Sequence, residues 1–328
     1  MHKCLILIFF LIISVSCSSE KKFKKNNELP HKKEVVNLYD LKIDDFPKKE
    51  LILNDVNFIG YLDLRNFKNN SLFKGFLGVL EKSYFVDNSL NSLYFTVGDI
   101  YKSQEFLLFF KNYHIELNDH YFKKEQLANE LLFKVGKTDN QEFGFVNFDN
   151  KSSVYGDTAL IKELFNIYDK KVEAISNKRY DIFVNSNFLK SNADFKLFFM
   201  PNSEYVNLLF KFSEKQAFFK PFVSDLSYIF LEVELQGSNI LNINLTISKK
   251  ESVDNLFTFL NAQYKLLLTL NGTPYSVLNT KGILKNTGVF KTLKIEIQNK
   301  NSLKISIQIN KTYLKPLGKF LNKIIGLK

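Results

Sequence analysis

A strict alternation of apolar and polar residues over 302–310 is the pattern that most constrains this fold. Every second residue of SLKISIQIN is apolar, and FKTLKIEIQ at residues 290–298 follows the same period from Leu293 onward. Successive side chains of a β-strand point to opposite faces, so this spacing predicts strands with one apolar face. The three residues between the segments predict a hairpin turn, and the two segments therefore predict an antiparallel sheet.

The rest of the body alternates between strand-like and helix-like segments. Strands are expected where short runs of β-forming residues end at turn residues, at 57–64, 92–98, 105–111, 142–148, 152–156, 194–200, 227–235 and 240–248. Helices are expected where apolar residues follow the helical period, at 71–81, 123–133, 158–168, 203–212, 252–268 and 313–325. Asp157 is the expected cap of one helix, and residues 248–251 form the capping box of another.

The order of these segments predicts an α+β fold with an internal duplication. Each half has the order strand-helix-strand-strand-helix-strand-strand-helix, which predicts two tandem repeats of antiparallel sheet packed with helices, at 56–172 and 190–328. Residues 34–55 are a transitional segment and residues 173–189 a connector. This arrangement loosely resembles duplicated, exported bacterial families of unknown function. The resemblance covers the architecture and implies no active site.

The N-terminus has the organisation of a secretory signal. Lys3 precedes an unbroken apolar run of ten residues at 4–13, and small residues follow. That run falls within the roughly 7–15 residues of a signal h-region and is shorter than the about 20 residues that span a bilayer. We therefore expect residues 1–16 to be a signal peptide that directs export, and we expect no membrane-spanning segment in the mature chain.

Cys17 stands where signal cleavage is expected, between Ser16 and a polar pair of serines. This arrangement resembles the lipobox of bacterial lipoproteins, in which the cysteine becomes the lipidated first residue. Ser14 occupies the place usually held by Leu, a relaxation known in spirochaetal lipoproteins. The resemblance implies cleavage between Ser16 and Cys17 and a lipid anchor in the outer membrane, on its surface or periplasmic face, in preference to the inner membrane. The remaining alternative is a plain secretory signal that contains a cysteine.

Residues 18–33 are polar and carry a net charge of +4, so we expect residues 17–33 to form a lipidated, flexible tether. Lysines near the anchor are candidate contacts for anionic headgroups, each contributing about 1 kcal/mol near a surface. These candidates are Lys21, Lys22, Lys24 and Lys25. A solvated spacer in a lysine-rich protein is the equally good alternative.

The net charge of +11 does not by itself indicate nucleic-acid binding. Of 45 basic residues only Arg65 and Arg179 are arginines, and arginine is the usual residue for bidentate phosphate and base contacts. Codon bias in an AT-rich genome accounts for abundant Lys, Asn, Ile and Phe. We expect no nucleic-acid partner.

No pattern of catalytic residues is recognisable, so we expect a non-enzymatic protein without a cofactor. His114 and His120 flank two acidic residues, but their spacing favours a polar loop over a metal site. Asp157 with Gly156 could bind an anion at a helix start, although capping suffices. Glu232 and Glu234 lie on one strand face, and Asp63 with Arg65 predicts a local ion pair.

The phenylalanines at 106–110, 195–199 and 218–222 allow two interpretations. They could line a cavity for an acyl chain, as in a lipid carrier, or fill an ordinary core. The core is the favoured interpretation. The sequence therefore predicts an anchored envelope protein with a binding or assembly role, whose partners are the membrane and an envelope or host protein. A carrier or chaperone for lipid or envelope protein is the alternative, and an unrecognised enzyme is the third.

Overall fold

The structure is a computed structural model, and it describes eleven ranges of the chain. They are 49–67, 92–98, 106–111, 123–127, 130–137, 142–148, 152–168, 173–201, 225–236, 240–270 and 292–310. The chain divides into two compact units. One holds the described residues 49–65 and 92–186, and the other holds 66–67 and 187–310. The signal, tether and repeat boundaries expected from the sequence stay predictions.

Antiparallel sheet dominates both units. The first, which we call the seven-strand unit, has the spatial order β1-β2-β3-β7-β6-β5-β4. Its strands are β1 (Phe58–Asp63), β2 (Ser92–Val97), β3 (Phe106–Lys111), β4 (Lys123–Leu127), β5 (Glu130–Lys137), β6 (Glu142–Phe148) and β7 (Ser152–Asp157). The second, the five-strand unit, has the order β11-β12-β10-β9-β8. Its strands are β8 (Phe195–Phe199), β9 (Leu226–Gln236), β10 (Ile240–Lys249), β11 (Lys294–Asn299) and β12 (Ser302–Asn310).

The helices among the described residues are few. After a 3-10 turn at Lys49–Leu51 come α1 (Leu64–Phe67), α2 (Thr158–Tyr168), α3 (Asn177–Val184) and α4 (Asp254–Leu270). The predicted α+β fold of two tandem repeats of antiparallel sheet packed with helices is therefore wrong, because the described chain is mostly antiparallel sheet with few helices. The helices predicted at 71–81, 203–212 and 313–325 lie outside the described residues.

One predicted helix is instead a hairpin. Residues 123–133 form β4 and the start of β5, which pair antiparallel with Lys124 opposite Phe133. Leu127, Leu131 and Leu132 have a spacing that a helix also satisfies. Pairing with β6 favours the strand, because it brings Phe133 onto Phe145 with parallel rings whose centroids are 4.9 Å apart. Tertiary packing of this kind routinely overrides local helix spacing.

The strand predictions that fall on described residues are confirmed. Both predicted hairpins of the five-strand unit are present, since β9 pairs with β10 and β11 pairs with β12. Asp157 caps α2 by accepting a hydrogen bond from the Ala159 backbone N–H at 2.7 Å. The capping box predicted at residues 248–251 is wrong, because β10 continues to Lys249 and α4 begins at Asp254.

In each unit the long helix covers one face of the sheet. In the seven-strand unit α2 packs across β6 and β7, and a Cβ at Gly144 would lie 3.0 Å from the Thr158 methyl group. In the five-strand unit Leu256 and Leu260 of α4 join a cluster of buried aliphatic side chains from β9, β10 and β12. Burial of these apolar faces is the main source of stability, at about 25 cal/mol per Å².

Helix α3 lies in the stretch expected to be a plain connector, and its Arg179 anchors an earlier segment. The Arg179 guanidinium donates to the backbone oxygens of Asn54 and Val56, while the Ile175 N–H donates to the Ile52 oxygen at 2.9 Å. Burial lowers the pKa of Arg179, and nearby Asp55 opposes that shift. One of the two arginines therefore joins segments more than a hundred residues apart. No local pattern in the sequence indicates this contact.

Candidate binding surfaces

The faces opposite the long helices are the candidate binding surfaces, because among the described residues α2 and α4 each pack against one side of the sheet in their unit. Residues paired across neighbouring strands share a face, so the strand registers identify each surface row by row. One row crosses the seven-strand unit and another crosses the five-strand unit. The two rows differ in chemistry.

The row in the seven-strand unit is aromatic, and we call it the aromatic row. In spatial order it runs Gly60, Phe95, Leu108, Tyr155, Phe145, Phe133 and Lys124. The Phe95 ring lies over Gly60 so closely that a Cβ there would overlap it. At the opposite end the Lys124 amine lies 5.4 Å from the centre of the Phe133 ring, which is cation–π geometry.

A neighbouring triangle of rings widens the aromatic row. The ring centres of Phe106, Phe143 and Tyr155 lie 6.0 to 6.3 Å from each other. These three side chains are half-buried, so the surface is apolar without being sealed. Burial also raises the pKa of Tyr155, which keeps its hydroxyl neutral. The surface can therefore contact an apolar ligand.

The row in the five-strand unit is polar, and we call it the polar row. It runs Lys196, Glu232, Asn244, Ser306 and Lys294, one residue from each strand in spatial order. Lys196 is buried, the three middle residues are half-buried and Lys294 is exposed. Accessibility therefore increases towards β11. Beside the row, the Gln308 amide donates to Asn242 at 3.2 Å.

Lys196 is the most unusual charge of the polar row. Its amine donates to the backbone oxygens of Phe188 and Ser191, each at 3.0 Å, and lies 5.0 Å from the centre of the Phe188 ring. Burial lowers the pKa of Lys196, and the cross-strand partner Glu232 opposes that shift. These contacts give the amine a structural role, because they hold the turn that precedes β8.

The sequence analysis does not single out Lys196 as a structurally important residue, although its position within an apolar run indicates one. A lysine inside the apolar run FKLFF must find partners or point away from the core. Glu232 and Glu234, expected on one face of their strand, do lie together on the face that carries Lys196. The carboxylate of nearby Asp194 accepts a hydrogen bond from the Leu235 backbone N–H at 2.6 Å. The acidic pair therefore belongs to a mixed-charge surface.

The phenylalanine runs divide between two faces. In β3, Leu107 and Phe109 lie beneath α2, whereas Phe106 and Leu108 belong to the opposite, aromatic side. In β8 the run splits in the same way, because Lys196 alternates with the core-facing positions 195 and 197. Neither described run lines one continuous surface. Residues 218–222 lie outside the described residues.

Most residues singled out as functional candidates are not described by the structure. Ser16, Cys17, Lys21, Lys22, Lys24, Lys25, His114 and His120 all lie outside the described ranges. The expected ion pair is confirmed, since Arg65 bonds Asp63 at 2.5 Å. In the described part of the chain, no three His, Cys, Asp or Glu side chains are grouped as metal ligands. None of the helices seen there is long and apolar enough to cross a bilayer.

Comparisons with known proteins add little. No protein-family model matches the sequence, and no curated protein matches it. Among solved structures, crystal form I of TP0453, a protein of the spirochaete Treponema, aligns with a TM-score of 0.43 and 9% sequence identity. The alignment covers 82% of this chain and 96% of that one. A likeness this weak carries no argument about ligand or activity.

Proposed function

We propose that this chain is a lipid-anchored lipoprotein of the cell envelope that acts by binding another envelope or host protein. The signal-like residues 1–16 and Cys17 support the anchor. The polar row is the observation that supports binding, because it presents both signs of charge beside amides and hydroxyls. Such mixed polar surfaces favour specific, electrostatically guided association.

The anchor is tested by metabolic labelling with radioactive palmitate. The native chain takes up label, and Cys17→Ala does not, because the thiol that receives the lipid is gone. Cys4→Ala is the matched control and keeps the label, since that cysteine leaves with the signal. Label that persists in Cys17→Ala would contradict the anchor assignment.

The binding surface is tested in intact cells with a photoreactive residue at Asn244, in the middle of the polar row. Crosslinking from this position should yield a discrete product with a second protein. The same residue placed at exposed Lys300, in the turn between β11 and β12, is the control. Identical products from both positions would show collision and argue against a binding surface at the polar row.

A carrier of an acyl chain is the second candidate, and the aromatic row is the observation that favours it. Half-buried rings beside a neutral tyrosine suit an apolar ligand. Native mass spectrometry of the Cys17→Ala chain, which lacks the anchor lipid, decides between the candidates. The first proposal expects no bound lipid. Lipid that is retained by this chain and lost on Phe143→Ala would favour the carrier.

A further inference from the structure

Among the described strands of the five-strand unit, β11 is an edge strand with mostly exposed residues. It is the last strand in the order of the five-strand unit, and five of its six residues are exposed. Ile297 is 42% exposed, one of the few large apolar side chains in the described ranges with such exposure. An open edge presents backbone N–H and C=O groups to another strand, and natural edges commonly carry features that prevent such pairing.

The edge strand β4 of the seven-strand unit is less suited to pairing with a copy of itself. There β4 is the last strand, and it begins with Lys123 and Lys124. Its Glu125 already bonds Lys162 at 2.6 Å and Lys134 at 3.1 Å, and these hydrogen bonds lower the pKa of Glu125. Pairing β4 with a copy of itself about Glu125 would place two carboxylates opposite each other. That register disfavours self-association of β4. Strand β11 also carries two features that commonly protect edges, Lys294 and a bulge between Ile297 and Asn299, but the bulge lies beyond Ile297.

The charges of β11, in contrast, match favourably when two copies of the strand run antiparallel to each other. We propose that β11 pairs antiparallel with β11 of a second copy of the chain, about a two-fold axis at Ile295. That register places Lys294 opposite Glu296 twice, since an isologous contact repeats every pair. It also places Ile295 opposite its copy, and Leu293, which directly precedes the strand, opposite Ile297 on the other face. Oppositely charged pairs stabilise sheets when they lie directly across from each other.

The register with its axis at the next residue, Glu296, is less favourable because of the charges that it brings together. An axis at Glu296 would bring two Glu296 carboxylates together and leave Lys294 opposite Gln298. Like charges directly opposite are destabilising. About five paired residues on each side make a small contact, so the dimer is weak and sensitive to salt. This self-association goes beyond the proposed function and does not depend on it.

The register is tested by disulfide formation in the full chain, with Cys4 and Cys17 replaced by Ser so that an introduced thiol is unique. Ile295→Cys should form a disulfide-linked dimer, because Cα atoms across a directly opposed pair lie within the range that a disulfide bridges. Ile297→Cys is the control. It is more exposed, but in the proposed register the two copies of residue 297 lie about 14 Å apart. Equal or greater dimer yield from Ile297→Cys would overturn the proposal.

A charge exchange supplies an independent arm in the same Ile295→Cys chain. Within the monomer, residue 294 lies opposite Ser306, so Lys294→Glu leaves the sheet intact. Across the two-fold axis, the same substitution places a carboxylate at position 294 opposite Glu296 of the second copy. Dimer yield should fall about tenfold, because two attractions become repulsions. Mixing this variant with Glu296→Lys should restore the yield as a mixed dimer, since both pairs again join opposite charges. Failure of the mixture to exceed either variant alone would refute the β11 contact.

Discussion

The aromatic row and the polar row hold corresponding positions in the antiparallel sheet of the two units, and they differ in chemistry. Each lies opposite the face that a long helix covers, and each ends at a lysine on an edge strand, Lys124 or Lys294. Rings contact each other along the aromatic row, whereas the polar row is charged and increasingly accessible. The aromatic row is therefore the more core-like of the two surfaces, and the polar row is the more accessible one.

The largest expected difference between the rows is in stability. Phe145→Ala should lower the free energy of unfolding by about 3–5 kcal/mol, because the ring is 1% exposed and stacks on Phe133. Asn244→Ala, at the middle of the polar row, should change it by less than about 0.5 kcal/mol. Chemical denaturation of both variants measures the two values. Comparable losses would remove the distinction between core-like and surface-like rows.

A smaller effect tests the end of the aromatic row. Gly60→Ala should cost about 1–3 kcal/mol, because its Cβ overlaps the Phe95 ring and forces it aside. In a Phe95→Ala chain the same substitution should cost less than about 0.5 kcal/mol, since the obstructing ring is absent. The double-mutant cycle measures this coupling. An unchanged cost in the Phe95→Ala chain would place the strain elsewhere.

The smallest effect concerns the buried end of the polar row. Lys196→Met should destabilise by about 1 kcal/mol, because the two backbone oxygens lose their donor while a buried charge is removed. Lys294→Met, at the exposed end, should have an effect below about 0.5 kcal/mol. Thermal unfolding of the two variants gives the comparison. Equal effects would mean that burial along the row has no energetic consequence.

The difference in stability between the native chain and Lys196→Met should change with pH in one direction. The pKa of Lys196 is lowered in the folded chain by burial, so the unfolded chain binds more protons in the window below the usual value of 10.5. The stability of the native chain relative to Lys196→Met should therefore rise as pH increases through that window. A difference that falls with pH would show that the folded amine holds its proton more tightly than the unfolded one.

Alternation of apolar and polar residues predicts strands reliably, because every second side chain of a strand with one buried face is apolar. Strands β11 and β12 are predicted correctly for this reason. The pair β6 and β7 is predicted correctly from short runs of β-forming residues that end at turn residues. The prediction at 123–133 fails because three leucines satisfy both a helix and a hairpin. Only the contact between Phe133 and Phe145 decides between them. The rows are beyond prediction, because a row is composed of one residue from each of several strands.

What the sequence by itself determined is the signal-like pattern of residues 1–17, the near absence of arginine and the alternation that makes strands. These are local properties, which depend on residues next to each other in the chain. Tertiary structure alone decided that Lys196 is held by two backbone oxygens, that Arg179 anchors residues 54 and 56, and that Lys294 ends a polar row at an open edge. Each of these depends on burial and on strand register, and both arise only when distant segments pack together.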